Sequence, residues 1–154
     1  MQLAILAAKE AKMDGGVAIG AVLVNNTTGK VIASKGSLVG VTNDPTAHAE
    51  INVIRAASKQ LGESDLFDYT LYSTLEPCQM CLGAAAWAKI PYVYFGAYRK
   101  DVDPSLFDTK KSIGDEAEST NMNVRENITM QVHGGILENE CAMLLGSYRE
   151  KPRH

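Results

Sequence analysis

Between Val17 and Phe95 the chain alternates short β-branched runs with segments of helical period, and that alternation limits the folds open to it. Val17 to Val24 is nearly all apolar and as short as a buried strand. Asn25-Asn26-Thr27-Thr28-Gly29 is turn chemistry, so Val31-Ile32-Ala33 is expected to return beside it as an antiparallel partner. Asp44-Pro45-Thr46 offers a helix cap and a first-turn proline, and Ile51, Ile54, Ala57 and Leu61 then share one helical face before Gly62. Tyr69 to Leu75 reads as a strand, Glu76-Pro77 to about Lys89 as a helix, and Tyr92 to Phe95 as a further strand. Strands alternating with helices imply a mostly parallel sheet with helices packed on both faces.

The flanks fit that core. Leu3, Leu6, Ala7 and Ala11 have helical spacing and stop at Asp14-Gly15-Gly16, while Gly36 to Asn43 reads as loop. From Lys100 to Asn127 the chain is polar, in the manner of a loop, a lid or a tolerated insertion. Ile128 to His133 is a last strand, and Ile136, Leu137, Cys141, Leu144, Leu145 and Tyr148 form one face of a closing helix. With 154 residues, no internal repeat and no Pro/Ser-rich linker, one domain over 1–154 is expected. No run approaches the roughly 18 apolar residues of a membrane span, and the start lacks a basic stretch followed by an apolar one. A cytoplasmic protein with no membrane partner is the expectation.

Two motifs carry chemistry. His48-Ala49-Glu50 falls in the first turn of one expected helix, and Pro77-Cys78-Gln79-Met80-Cys81 opens another. At positions i and i+3, Cys78 and Cys81 share a helix face and can grip one ion. Thiolates with an imidazole from His48 select a borderline-soft cation, most commonly zinc. Both groups stand at helix N-termini, where the helix dipole favours the thiolate. Three protein ligands leave one tetrahedral position open, the mark of a catalytic rather than a structural site, because Cys141, His133 and His154 stand at no ligand-like spacing. Glu50 supplies a carboxylate for proton transfer. On an ideal helix it points about 200° away from His48, which argues against a fourth ligand.

The pairing of His-x-Glu with a later Pro-Cys-x-x-Cys is the signature of zinc-dependent deaminases. The chain resembles the cytidine/deoxycytidylate deaminase superfamily, in its branch of tRNA-adenosine, guanine and fungal-type cytosine deaminases. Gly20-Ala21-Val22-Leu23-Val24, Asp44-Pro45-Thr46-Ala47-His48-Ala49-Glu50, Thr74-Leu75-Glu76-Pro77-Cys78, Phe95-Gly96-Ala97 and Gly135-Ile136-Leu137 carry the resemblance. It implies a three-layer α/β/α sandwich around a mixed five-stranded sheet, one zinc ion on His48, Cys78 and Cys81, and Glu50 as proton shuttle. Hydrolytic removal of an exocyclic amine, with release of ammonia, and a homodimer are implied as well. Ile19, Ser37 and the backbone of Ala49 become candidate substrate contacts.

Departures from the branch bear on the substrate. Members carry an Asn where this chain has Ser37, whose hydroxyl has a shorter reach, although Asn43 is a possible substitute. The proline before the pocket floor is Ala18, followed by Ile19, which serves either as core packing or as a surface under a base. Tyr98-Arg99-Lys100-Asp101 stands in place of the small, Gly-rich stretch of tRNA-editing members. Phe107-Asp108 echoes guanine deaminases at the pocket rim. Fifteen Lys and Arg against eighteen Asp and Glu leave a net charge of −3. Nucleic-acid binders usually show a basic excess, so the expected substrate and partner is a free nucleobase or nucleoside of guanine or cytosine type. Deamination of wobble adenosine in tRNA is the alternative, and a catalytically silent zinc scaffold a second.

Blander readings stand beside these. A thioredoxin-like redox pair would account for Cys78 and Cys81 but leaves His48-Ala49-Glu50 unexplained. Cys141 reads as a buried small hydrophobe, His133 and His154 as surface histidines, Trp87 as packing or a subunit contact, and Lys110-Lys111 as solvated charge.

Overall fold

A computed structural model describes residues 1–103 and 121–146. Phe107-Asp108, Lys110-Lys111, Tyr148 and His154 lie outside the described residues. Helix α1 spans Gln2–Met13, strands β1 and β2 span Gly20–Asn25 and Val31–Gly36, and a short helix α2 covers Val39–Thr42. Helix α3 (Ala49–Leu61), strand β3 (Tyr69–Leu75), helix α4 (Gln79–Trp87) and strand β4 (Tyr92–Ala97) follow, with a 3-10 turn at Arg99–Asp101. The described chain closes with β5 (Asn123–Arg125), β6 (Ile128–Thr129), β7 (Gln131–His133) and α5 (Glu138–Leu144).

The central sheet has five strands in the order β2-β1-β3-β4-β7. β1 runs antiparallel to both β2 and β3, whereas β3, β4 and β7 are parallel. The sheet is therefore mixed, as the resemblance implies, and not mostly parallel as alternation alone indicates. The reason is the β1–β2 hairpin. Asn25 Oδ1 accepts the backbone N–H of Thr27 and Thr28, and the reversal at Gly29 takes a φ of +69°. That tight turn returns the chain antiparallel without a crossover helix.

Helices α3 and α4 cover one face, where Val53, Ala57, Leu82 and Ala85 pack on Leu23, Leu71, Val93 and Phe95. On the opposite face α1 buries Ala4, Ala7, Ala8 and Ala11, while Leu3 and Leu6 stay 48% and 52% exposed. Of the expected face, Ala7 and Ala11 are buried, while Leu3 and Leu6 give way to Ala4 and Ala8, because this helix lies almost on the sheet backbone. A Cβ at Gly20 would collide with Ala4 and Ala8, and one at Gly36 with Ala11. Only Gly opposite Ala allows that approach. Among the described residues no helix is long and apolar enough to cross a membrane.

Several boundaries moved for local reasons. Asp44-Pro45-Thr46 forms an Asx turn, Asp44 Oδ1 accepting Thr46 N–H at 2.8 Å, so α3 starts later, with His48 as its cap residue. The stretch 128–133 divides at Met130, whose N–H donates to Met122 C=O; β6 pairs with β5 and β7 joins the main sheet. Ile136 and Leu137 precede α5 and remain partly exposed.

Candidate metal centre and active site

Both motifs end at the starts of helices that pack on the same sheet face. His48 is the residue before α3, with extended backbone angles φ −66° and ψ 154°, and Cys78 stands in the same relation to α4, with φ −78° and ψ 169°. Neither helix start is capped by a side-chain hydrogen bond. Cys81 follows in the first turn of α4 and is fully buried. Cys78 Sγ and Cys81 Sγ are 3.6 Å apart, and His48 Nδ1 lies 3.7 Å from the first and 3.5 Å from the second.

Those spacings are the edges of a tetrahedral face. With bonds of about 2.3 Å to sulfur and about 2.1 Å to nitrogen, zinc spreads its ligands about 3.8 Å (S···S) and about 3.6 Å (S···N) apart. The donor set and its distances therefore fit zinc, and His48, Cys78 and Cys81 are the one group among the described residues that meets as a ligand cluster.

The thiols are coupled. The Cys78 thiol is brought down to about 3, first by the neighbouring Cys81 thiol and then by His48, against the opposing effect of burial. Cys81 is pushed well up, because it keeps the shared proton, is buried and faces the Glu50 carboxylate. His48 is raised, mainly through its contact with Cys78. Thiols bind a metal as thiolates, so metal binding at this pair releases protons.

Glu50 lies in the first turn of α3, only 3% exposed. Its Oε2 is 3.5 Å from Cys81 Sγ, and its Oε1 accepts the Ser73 hydroxyl at 2.9 Å. Burial raises its pKa, partly offset by hydrogen bonds and by His48. The ideal-helix angle between His48 and Glu50 does not apply, since His48 precedes the helix with extended angles. Both side chains therefore reach the same cluster.

The candidate substrate contacts fall into two groups. Ser37 N–H donates to Ile19 C=O at 2.9 Å, which places these two side by side at the end of the β1–β2 hairpin. Ser37 is buried, and Ile19 packs partly buried against both apolar clusters. The Ala49 side chain is inside the core. Asn43 is exposed, with a φ of +54°. Cys141 is buried under Gly96, His133 is exposed beside the Tyr94 ring, and Trp87 is 89% exposed and so is no packing residue within this chain.

Sequence reasoning passed over Ser73 and Glu76. Ser73 is fully buried in β3, two residues after Leu71, and a hydroxyl in so apolar a strand is a readable sign of a buried polar partner. Glu76 Oε2 accepts the Arg99 backbone N–H at 2.9 Å, and Arg99 Nη2 donates to Glu76 C=O at 3.1 Å. These bonds anchor the turn that presents Pro77-Cys78.

A mixed sheet that offers a His-Cys-Cys zinc site with a buried carboxylate beside it defines the class as a zinc-dependent hydrolase. The chain belongs to the cytidine and deoxycytidylate deaminase family, whose zinc-binding region matches residues 1–97. It is a deaminase of that zinc-binding family, and His48, Cys78 and Cys81 are the residues placed so that they could hold the ion. The tRNA-specific adenosine deaminase of Buchnera aphidicola subsp. Baizongia pistaciae is 40% identical over 155 residues, covering 99% of this chain and 88% of that protein. A structure from work on A-to-I editing by tRNA:A34 deaminases superposes with a TM-score of 0.74 at 38% identity, over 94% of this chain and 97% of the other. Guanine deaminase of Bacillus subtilis is 46% identical, but over 89 residues, 58% of this chain and 56% of that protein.

These likenesses overturn the expectation of a free nucleobase or nucleoside as substrate and partner. The sequence likeness to the Bacillus subtilis guanine deaminase is confined to 58% of the chain, whereas sequence likeness at 38% to 40% identity to enzymes named for tRNA extends over nearly all of it. The expectation leaned on a net charge of −3, and net charge sums the whole surface without saying where a polyanion would lie.

Proposed function

We propose that the chain is a single zinc-dependent deaminase domain that converts adenosine to inosine at the wobble position of tRNA. The observation that carries this reading is near full-length identity to tRNA-specific adenosine deaminases, joined to a complete His-Cys-Cys-Glu constellation.

The geometry supports the following roles. His48, Cys78 and Cys81 would hold zinc, which supplies Lewis acidity and lowers the pKa of a water toward about 7. Glu50 carries the protons. Its Oε2 faces the ligand cluster and accepts a proton from the attacking water, then returns it to the ring nitrogen beside the reacting carbon and assists departure of the amine. Water oxygen enters at the ring carbon and ammonia leaves, so adenine becomes hypoxanthine and atoms balance. Burial raises the Glu50 pKa and so favours the protonated form, the one that returns a proton. Ser73 keeps Oε1 occupied and leaves Oε2 for the exchange. Ser37 and Ile19 would form the wall beside the base, and the Ala49 N–H, at the start of α3, is available to a substrate oxygen or nitrogen.

The test is inosine formation in an anticodon stem-loop RNA bearing adenosine at the wobble position, run beside free adenosine, guanine and cytosine. Inosine in the RNA with no ammonia from the small molecules supports the reading. Ammonia from a free base with an unaltered stem-loop overturns it.

A further inference from the structure

The chain leaves β2 at Gly36 and enters α3 at His48, and the two ends of the intervening loop are tied together. Leu38 N–H donates to Ala47 C=O at 2.9 Å. Asn52, one turn into α3, completes the tie from the helix. Its Nδ2 donates to Gly36 C=O at 2.9 Å and to Ala47 C=O at 3.0 Å, and its backbone N–H donates to His48 C=O at 2.9 Å. One side chain thus bridges both stems, next to Ser37 on one side and next to His48 on the other.

The residue type matters. A primary amide offers two N–H donors at one nitrogen, and here each meets a different backbone carbonyl. Aspartate has the same shape and no donor when ionised, while alanine leaves both carbonyls without this partner. His48 takes extended angles and no side-chain bond caps its helix; it is held on one side by the loop stem, its N–H donating to Thr46 C=O at 2.8 Å, and on the other by α3. A ligand atom displaced by a few tenths of an ångström no longer completes the spacing of 3.5 to 3.7 Å from the two sulfurs.

We infer that Asn52 is a positioning residue for the metal ligand His48: by clasping Gly36 and Ala47 it sets zinc affinity without touching the ion. The inference rests on His48 being a ligand and is independent of which substrate the enzyme takes. Partners that orient a ligand typically contribute 10- to 100-fold to metal affinity.

The experiment measures the zinc dissociation constant of the full chain by competition with a chromophoric chelator, below the unfolding midpoint of each apo form. Asn52→Asp, Asn52→Ala and His48→Ala are compared with the unsubstituted protein. Asn52→Asp and Asn52→Ala are expected to weaken zinc about tenfold or more while staying folded. Turnover should return to within a few-fold when zinc is saturating, which a general loss of structure would not allow. Should Asn52→Asp fail to fold, Asn52→Ala, which adds no charge, decides. Zinc affinity within twofold of the unsubstituted chain, alongside a large loss in His48→Ala, overturns the inference and leaves Asn52 a loop fastener only. Undiminished zinc in His48→Ala overturns the ligand reading itself, and with it the inference.

Discussion

Asp65 and Glu50 are both carboxylates held by their neighbours, one in water and one in the core. Asp65 accepts two bonds from Arg125 and one from Lys89, and its Oδ1 also accepts the Phe67 N–H. Those three charged side chains are 39% to 46% exposed. Glu50 has one hydroxyl partner, Ser73, and one thiol neighbour, and almost no contact with solvent. Counting partners would rank Asp65 first. Solvent reverses the order, because water competes for every bond at Asp65 and screens its charges, while around Glu50 each polar contact acts in a low dielectric. The pKa directions record the same contrast: Asp65 is lowered, first by Lys89, and Glu50 is raised by burial.

That contrast can be broken at four points. The largest effect is expected from Glu50→Gln, which keeps size and the possibility of bonding Ser73 but cannot carry a proton. Turnover should fall about 1,000-fold with zinc content unchanged, measured by inosine formation and metal analysis. If turnover stays within tenfold, burial of the carboxylate is not what moves the protons. Next, Cys78→Ser should cost at least about 100-fold in zinc affinity and lower the unfolding midpoint of the zinc-saturated protein. Equal zinc loading and stability would count against the ligand set.

A smaller change tests the buried hydrogen bond alone. Ser73→Ala should reduce kcat at least about tenfold, with KM and zinc affinity unchanged, because a contribution of about 1.5 to 3 kcal/mol is typical for a hydrogen bond to a charged group. An unaltered kcat would mean that Glu50 is oriented without Ser73. The smallest effect is Asp65→Asn, about 0.5 kcal/mol or less at pH 7 and vanishing in high salt. The sign follows from the lowered pKa. Asp65 contributes above its unfolded pKa near about 3.9, and the contribution is lost as pH falls through the lower folded value. Chemical denaturation of both forms at pH 7 and pH 3 should show the difference shrink. A difference that grows in acid would contradict the assignment.

Much of the architecture was legible because it rests on local chemistry. The Asn25-to-Gly29 turn, the β-branched runs and the Cys78/Cys81 spacing each point to one outcome. α1 was legible as a helix but only half in orientation: Ala7 and Ala11 are buried as their spacing indicates, while Leu3 and Leu6 are exposed because alanine packed against glycine leaves no room for leucine. The start of α3 was misplaced because the side-chain chemistry that caps a helix also closes an Asx turn, and at Asp44 the turn prevailed. The ligands and Glu50 stood out because few structures need those residue types so spaced. Ser73 and Asn52 did not, because what they do depends on partners 23 and 16 residues away that only the fold brings near. The substrate was the least legible, because no motif names it and net charge sums the whole surface.

His48 and Cys78 stand 30 residues apart, each at the start of a helix that no side chain caps. A metal held there joins two helix starts only in the folded chain, so the folding equilibrium is linked to the concentration of free zinc. Above the dissociation constant, each tenfold rise in free zinc adds about 1.4 kcal/mol to the folded state. The unfolding midpoint in zinc-buffered solution therefore reads the occupancy of the site without any substrate. In a cell, scarcity of zinc would lower the stability of the protein as well as stop its chemistry.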